Sequence, residues 1–146
     1  RVDADAAGSW LTNWHPAGGK LHYLRTGSRA LVEFDLATRQ KKTLPLSIPP
    51  LSSPRTLMEG DMLMHALRDG RLRIGRWNPA TGVWKAIETG PEPVGFPSIS
   101  PDGKWITAER MSDAATHLVV FPVEGGRPAQ LTSGSELSWP HSWAPD

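Results

Sequence analysis

Five histidines are the residues best placed to do chemistry: His15, His22, His65, His117 and His141. An imidazole can ligate a metal or move a proton near neutral pH. Their spacing contains no His-x-His, no His-Glu-x-x-His and no other paired-ligand pattern. His15 and His141 stand out because each falls near the end of a segment that reads as the innermost strand of a repeat, the strand that would line a central channel. A divalent metal in that channel, held by these two and by their copies across a two-fold axis, is the metal chemistry open to the chain. Metal sites usually need three or more protein ligands, so hydrogen bonding in a wet channel is the simpler reading, and no resident cofactor is expected. His22 and His65 alternate with apolar neighbours and read as packing residues. His117 opens a strand and reads as exposed.

Other chemistries find less support. There is no Gly-x-Ser-x-Gly elbow, and Ser142 beside His141 on a strand would point to the opposite face, so no catalytic residue is assigned. Gly18-Gly19 and Gly125-Gly126 suit turns rather than a phosphate cradle. Asp35, Asp102 and Asp113 sit where a carboxylate accepts backbone N–H bonds of a turn. Glu59 and Asp61 form too sparse an oxygen cluster for a calcium loop. Trp10, Trp14, Trp139 and Trp143 occupy equivalent positions. Trp10 and Trp139 would stack on a peptide or sugar if they reached a rim, but burial between sheets is the expectation. Arg110 ends a strand close to one rim. The candidate ligand-binding set is therefore His15, His141, Trp10, Trp139 and Arg110.

The elements that must position these residues repeat. Phe34, Trp77 and Phe121 each close a short apolar run, 43 and 44 residues apart. A second anchor keeps step: Trp14-His15-Pro16-Ala17-Gly18-Gly19-Lys20, Ile99-Ser100-Pro101-Asp102-Gly103-Lys104 and Trp143-Ala144-Pro145-Asp146. Its middle copy falls at Leu57-Met58-Glu59-Gly60-Asp61, where the proline is lost and the turn kept. A strand-rich repeat of about 40 to 45 residues is the mark of a propeller blade. Four strands are expected per period: 10–15, 20–25, 29–36 and 41–46; then 55–58, 61–68, 71–77 and 83–89; then 95–100, 104–110, 117–123 and 127–132. Asp69-Gly70 is a two-residue hairpin signal. The fold class is thus all-β, a β-propeller of four-stranded antiparallel blades. Blades span about 10–52, 53–94 and 95–136, and a further first strand begins within 137–146.

Composition agrees and excludes some partners. Fourteen Gly and fourteen Pro in 146 residues suit a turn-rich β protein. The net charge is +1 and no basic block exceeds Arg39-Gln40-Lys41-Lys42, so nucleic acid is not an expected partner. Nothing approaches the ~20 apolar residues of a membrane span, and no membrane insertion is expected. The absence of Cys removes disulfides and thiolate metal sites. Residues 1–8 lack both an initiating Met and the apolar core of a signal peptide, which reads as a chain beginning after processing or at a boundary cut within a longer sequence.

The stretch from Ser100-Pro101-Asp102-Gly103-Lys104-Trp105-Ile106 to Phe121-Pro122-Val123-Glu124-Gly125-Gly126-Arg127-Pro128-Ala129-Gln130-Leu131-Thr132 resembles a TolB-type, WD-like propeller repeat. The first period matches through Trp14 to Lys20 and Phe34-Asp35, the second is divergent, and the likeness covers about residues 10 to 146. The resemblance implies part of a larger bacterial propeller, an extracytoplasmic (periplasmic) setting and a non-enzymatic scaffold that binds a protein or peptide. It leaves open the alternative that the chain is the propeller part of a hydrolase or lyase with a channel site. Three blades would leave two faces open, and two copies would close a six-bladed ring, so a homodimer is expected.

Overall fold

The computed structural model describes residues 9–146 apart from 16, 26–29, 45, 47, 49, 52–53, 113, 140–141 and 145–146, and for residues 9–14 the backbone alone. The described residues form three four-stranded antiparallel sheets and no helix. Sheet one runs β1(Ser9–Trp14), β2(Lys20–Arg25), β3(Ala30–Asp35), β4(Lys41–Leu44). Sheet two runs β5(Arg55–Thr56), β6(Met62–Arg68), β7(Arg71–Trp77), β8(Trp84–Ala86). Sheet three runs β9(Val94–Ile99), β10(Trp105–Met111), β11(Thr116–Pro122), β12(Ala129–Gln130). Each sheet is a meander in chain order, the arrangement of a propeller blade.

Side chains on a strand point alternately to the two faces of its sheet, so a blade between two others must be apolar on both. Sheet two meets this demand. Met62, Met64 and Trp77 pack with Leu31 and Leu44 of sheet one. Leu63 and Ile74 face the other way, into a cluster with Ile106, Ala108, Val119 and Phe121 of sheet three. The five residues Met62 to Ala66 are consequently all buried. Burying each large apolar side chain fully is worth about 1.5–3 kcal/mol, and these two seams join the sheets. A third cluster, Leu21, Tyr23, Val32 and Phe34, lies on the other face of sheet one. The repeat anchors are core residues: Trp77 and Phe121 are almost wholly buried, and Phe34 nearly so. Gly75 is required by packing, because a Cβ there would overlap the Trp84 ring.

The observed strands are shorter than expected at the blade edges. The outer strands contract to Trp84–Ala86 and Ala129–Gln130, and the inner strand of sheet two to Arg55–Thr56. The strand expected from residue 137 is not formed at 137–139 or 142–144. A first strand needs a second strand of its own blade, and Ser138 instead donates one backbone bond to Thr116 O, at 2.9 Å.

Replacing Ile106 by Ala in the seam between sheets two and three should lower the unfolding free energy by about 2–5 kcal/mol. Leu67→Ala, at an exposed position of the same seam's outer end, should stay within about 0.5 kcal/mol. Urea denaturation of the two variants checks the assignment.

Candidate functional site

One rim carries the turns that join the first strand of each sheet to the second, and all three turns share a bonding pattern. In sheet one, His15 N donates to Lys20 O and Gly18 N to His15 O, at 2.9 and 2.8 Å. In sheet two, Leu57 N donates to Asp61 O and Gly60 N to Leu57 O, at 2.7 and 3.0 Å. In sheet three, Ser100 N donates to Trp105 O and Gly103 N to Ser100 O, both at 2.9 Å. Gly18, Gly60 and Gly103 all have positive φ, which glycine adopts without steric cost. The side chain at the first position finishes the turn. His15 Nδ1 accepts the Ala17 N–H at 3.1 Å. Ser100 Oγ accepts the Trp105 N–H at 2.9 Å and donates to Asp102 Oδ1 at 2.6 Å. That hydroxyl is the chief reason Asp102 is held below the usual carboxylate range.

On this rim the turns that join third to fourth strands in sheets one and two are built from Asx side chains, while that of sheet three is closed by Gly125 N donating to Pro122 O at 2.9 Å. Asp35 Oδ1 accepts the N–H groups of Ala37 and Thr38, and Asn78 Oδ1 those of Ala80 and Thr81. Asp61 ties the two kinds of turn together by accepting from Asn78 Nδ2 at 2.7 Å. Arg76 lies 3.4 Å from Asp61 and 3.8 Å from both Glu59 and Glu124, so it links the rim of sheet two to that of sheet three.

Clefts open between neighbouring rims. One of those between sheets two and three has a volume of about 320 Å3, within the size range of small-ligand sites; a second, about 420 Å3, is lined by Asp61, Arg76, Lys85 and Glu124. Leu57, Ile99 and Val123 give the first an apolar lining, with Met58 and Glu59 on one side and Pro101 and Asp102 on the other. Met58 is 60% exposed. The cleft between sheets one and two, about 250 Å3, is polar, with His15, Lys20, His22, Glu33, Glu59 and Asp61 on its walls.

The polar cleft is anchored on His22, which is 2% exposed. Its Nδ1 lies 2.8 Å from Thr56 Oγ1 of sheet two and its Nε2 lies 3.2 Å from Glu33 Oε2. Lys20 Nζ donates to the other oxygen of Glu33 at 2.8 Å. Burial pushes the Glu33 carboxyl up, but Lys20 and His22 together outweigh it and the net displacement is downward. Burial is also the largest influence on His22 and holds it below the usual imidazole value, against the pull of Glu33. His22 thereby bridges two blades through Thr56 and Glu33.

The sequence-derived candidates occupy separate places. The strand expected to carry His15 into a channel ends at Trp14, and His15 opens the turn on the rim, half-buried, its ring centroid 6.2 Å from that of His22. Arg110 is a tie within the fold: its guanidinium holds Glu92 Oε2 at 2.6 Å and also Gln130. Trp139 was expected in the core and is instead 65% exposed, because no strand forms around it. His141 lies outside the described residues, as does the Trp10 side chain. His117 is half-buried rather than exposed, with Nδ1 enclosed. Among the described residues, no group of three or more His, Asp or Glu is placed to hold a metal ion. The residues that sequence reasoning passed over are Leu57, Met58, Ile99 and Val123 of the apolar cleft. Leu57, Met58 and Ile99 belong to the repeated turn anchor, but that spacing does not mark a cleft, which forms only where two blades meet.

Thr56→Val removes the hydroxyl that meets His22 across the seam and should lower the unfolding free energy by about 1–3 kcal/mol. The midpoint of urea denaturation should fall with an unchanged slope, which separates a local loss from a change in unfolded-state compactness.

No family model matches the chain, and no curated protein matches it. Solved structures do. TolB from Acinetobacter baumannii is 20% identical, with a TM-score of 0.68 over 88% of this chain and 33% of that one. A TolB candidate from Agrobacterium tumefaciens is 16% identical, with a TM-score of 0.66 over 84% of this chain and 48% of that one. An oligogalacturonate lyase in complex with manganese is 19% identical, with a TM-score of 0.54 over 84% of this chain and 37% of that one. The chain thus spans from a third to about half of the length of these proteins. At such identities the likeness is one of fold, and the fold is an all-β, TolB-like propeller, of which the described residues form three blades.

Proposed function

We propose that the chain is a non-enzymatic propeller scaffold that binds a protein or peptide segment across the turn rim. The observation that carries this reading is the apolar cleft of about 320 Å3 between Leu57–Glu59 and Ile99–Gly103, with Met58 exposed at its lip. Exposed apolar surface beside a preformed cleft favours association. The rim around it is rigid, because every turn is closed by its own backbone bonds. An extracytoplasmic place in a bacterial cell is part of the proposal and rests on the TolB resemblance. No helix among the described residues is long and apolar enough to cross a membrane.

A homodimer is also part of the proposal. It is supported by the far face of sheet three, where Trp105 and Leu131 are exposed beside the half-buried Leu118 and Val120. Light scattering across a dilution series should give twice 16.0 kDa; a constant monomer mass would remove the dimer.

The second reading makes the chain the propeller part of a hydrolase or lyase. The pair His15 and His22 in the polar cleft favours it, as does the fold shared with a manganese-bound lyase. One set of binding experiments separates the two. Peptides selected from a random library should bind, and Met58→Asp should weaken them about tenfold or more, a loss of roughly 1.4 kcal/mol, while His15→Ala leaves them unchanged. If Met58→Asp has no effect, the apolar cleft is not the site. Stoichiometric Mn2+ binding that His15→Ala abolishes would replace the scaffold with the second reading.

A further inference from the structure

The seam between sheets two and three encloses an imidazole that the turn rim does not use. His65 projects from β6 toward sheet three and is 2% exposed. The inner strand β9 wraps over its ring. Gly95 comes so close that a Cβ there would sit 2.8 Å from both Cε1 and Nε2, and the Met111 methyl closes the same side. The next residue, Phe96, has φ +49. A bulky aromatic enters the left-handed region only at a cost of about 1–3 kcal/mol. This backbone forms a bulge, where pairing with β10 steps from Thr107↔Ser98 to Glu109↔Gly95. The bulge aims the Phe96 N–H at His65 Nδ1, 3.4 Å away. It also sets the Phe96 ring edge-on to the imidazole, with centroids 5.1 Å apart. His65 Nε2 is buried with no hydrogen-bond partner.

A neutral ring fits this enclosure and a charged one does not. Nδ1 accepts from Phe96, which leaves the proton on Nε2. A second proton on Nδ1 would confront the Phe96 N–H, and neither nitrogen meets an acceptor to share the charge. The surrounding groups give no relief. On the same face of sheet two lie Arg55 from β5 and Arg76 from β7, the latter beside Asp61, Glu59 and Glu124. From sheet three, Arg110 and His117 face sheet two, and Arg110 is bound to Glu92 and Gln130. Glu109 is opposite Gly95 in register but projects to the far face of sheet three. Burial alone displaces the His65 pKa, and it does so downward.

We propose that His65 is an acid-released latch: protonation of its enclosed ring frees the strained Gly95–Pro97 bulge and opens the inner edge of the seam between sheets two and three. The folded protein holds His65 below its ordinary value, so the unfolded or opened chain binds more protons. The latch is fully closed above the ordinary imidazole pKa of about 6.5. It weakens as pH falls below that value, until the folded-state pKa is reached. Over that window the opened fraction rises about tenfold per pH unit, the response of one proton.

The test is amide hydrogen exchange followed by NMR on the whole chain from pH 7.5 to 5, expressed as protection factors so that intrinsic pH dependence is removed. Protection at Gly95, Phe96 and Ser98 should fall by about tenfold per unit below pH 6.5. His65→Gln keeps an acceptor for the Phe96 N–H and cannot gain a proton, so its protection there should not respond to acid. Amides of β2 report any acid response that comes from His22, which is also held below the ordinary value, and His65→Gln should leave that response unchanged. Acid-sensitive protection that persists in His65→Gln would overturn the proposal. Should that variant not fold, titration of the His65 ring Cε1–H in the wild type decides alone. A pKa at or above 6.5 would also overturn the latch, and a lower one coupled to loss of Phe96 protection would support it.

Discussion

Burial of sheet two on both faces is the constraint on which the rest of this structure depends. A blade with neighbours on either side has no solvent face, so its central strand must be apolar without alternation. Met62 to Ala66 is such a run, and it holds sheet one through Met62 and Met64 and sheet three through Leu63. The edge strands vary more in length: β5, β8 and β12 have two or three residues, while β1 and β9 have six. Close packing also explains the glycines without a turn: Gly75 yields to the Trp84 ring and Gly95 to His65.

A seam of this kind penalises polar groups unless they are bonded. Each of the two seams nevertheless encloses one imidazole almost completely, His22 in one and His65 in the other, and they are treated differently. His22 meets Thr56 with one nitrogen and Glu33 with the other, and the Glu33 charge is in turn balanced by Lys20. That imidazole cross-links two blades. His65 has one long bond from a strained backbone and none at its other nitrogen. Burial holds both rings below the ordinary imidazole value, but only His22 has a carboxylate beside it, Glu33, that could share the charge of a second proton.

The rim shows how a repeat tolerates divergence. The turn hydrogen bonds recur whether the first position is His15, Leu57 or Ser100, because they belong to the backbone and to a glycine with positive φ. Side chains are then free to vary, and variation at the rim makes one inter-blade cleft polar and the next apolar. The propeller shared with TolB and with a lyase is a likeness of fold, and the clefts between its blades differ through the side chains that line them.

By itself the sequence determined the all-β architecture, the repeat of about 43 residues and the placing of the turns, since Pro-Asp-Gly and Asp-Gly signals and short β-branched runs are local physics. It also marked Phe34, Trp77 and Phe121 as repeat anchors, and Asp35 and Asp102 as turn acceptors. Tertiary structure decided where strands end and which side chains meet. His15 became a turn residue because β1 ends at Trp14, and Arg110 became a tie because Glu92 and Gln130 lie beside it. Trp139 stayed in solvent because no blade forms around it. The apolar cleft, the bridge from His22 to Thr56 and the enclosure of His65 exist only where two blades face each other. Periodicity within one blade states which face a side chain takes, but the atoms it meets there belong to the neighbouring sheet.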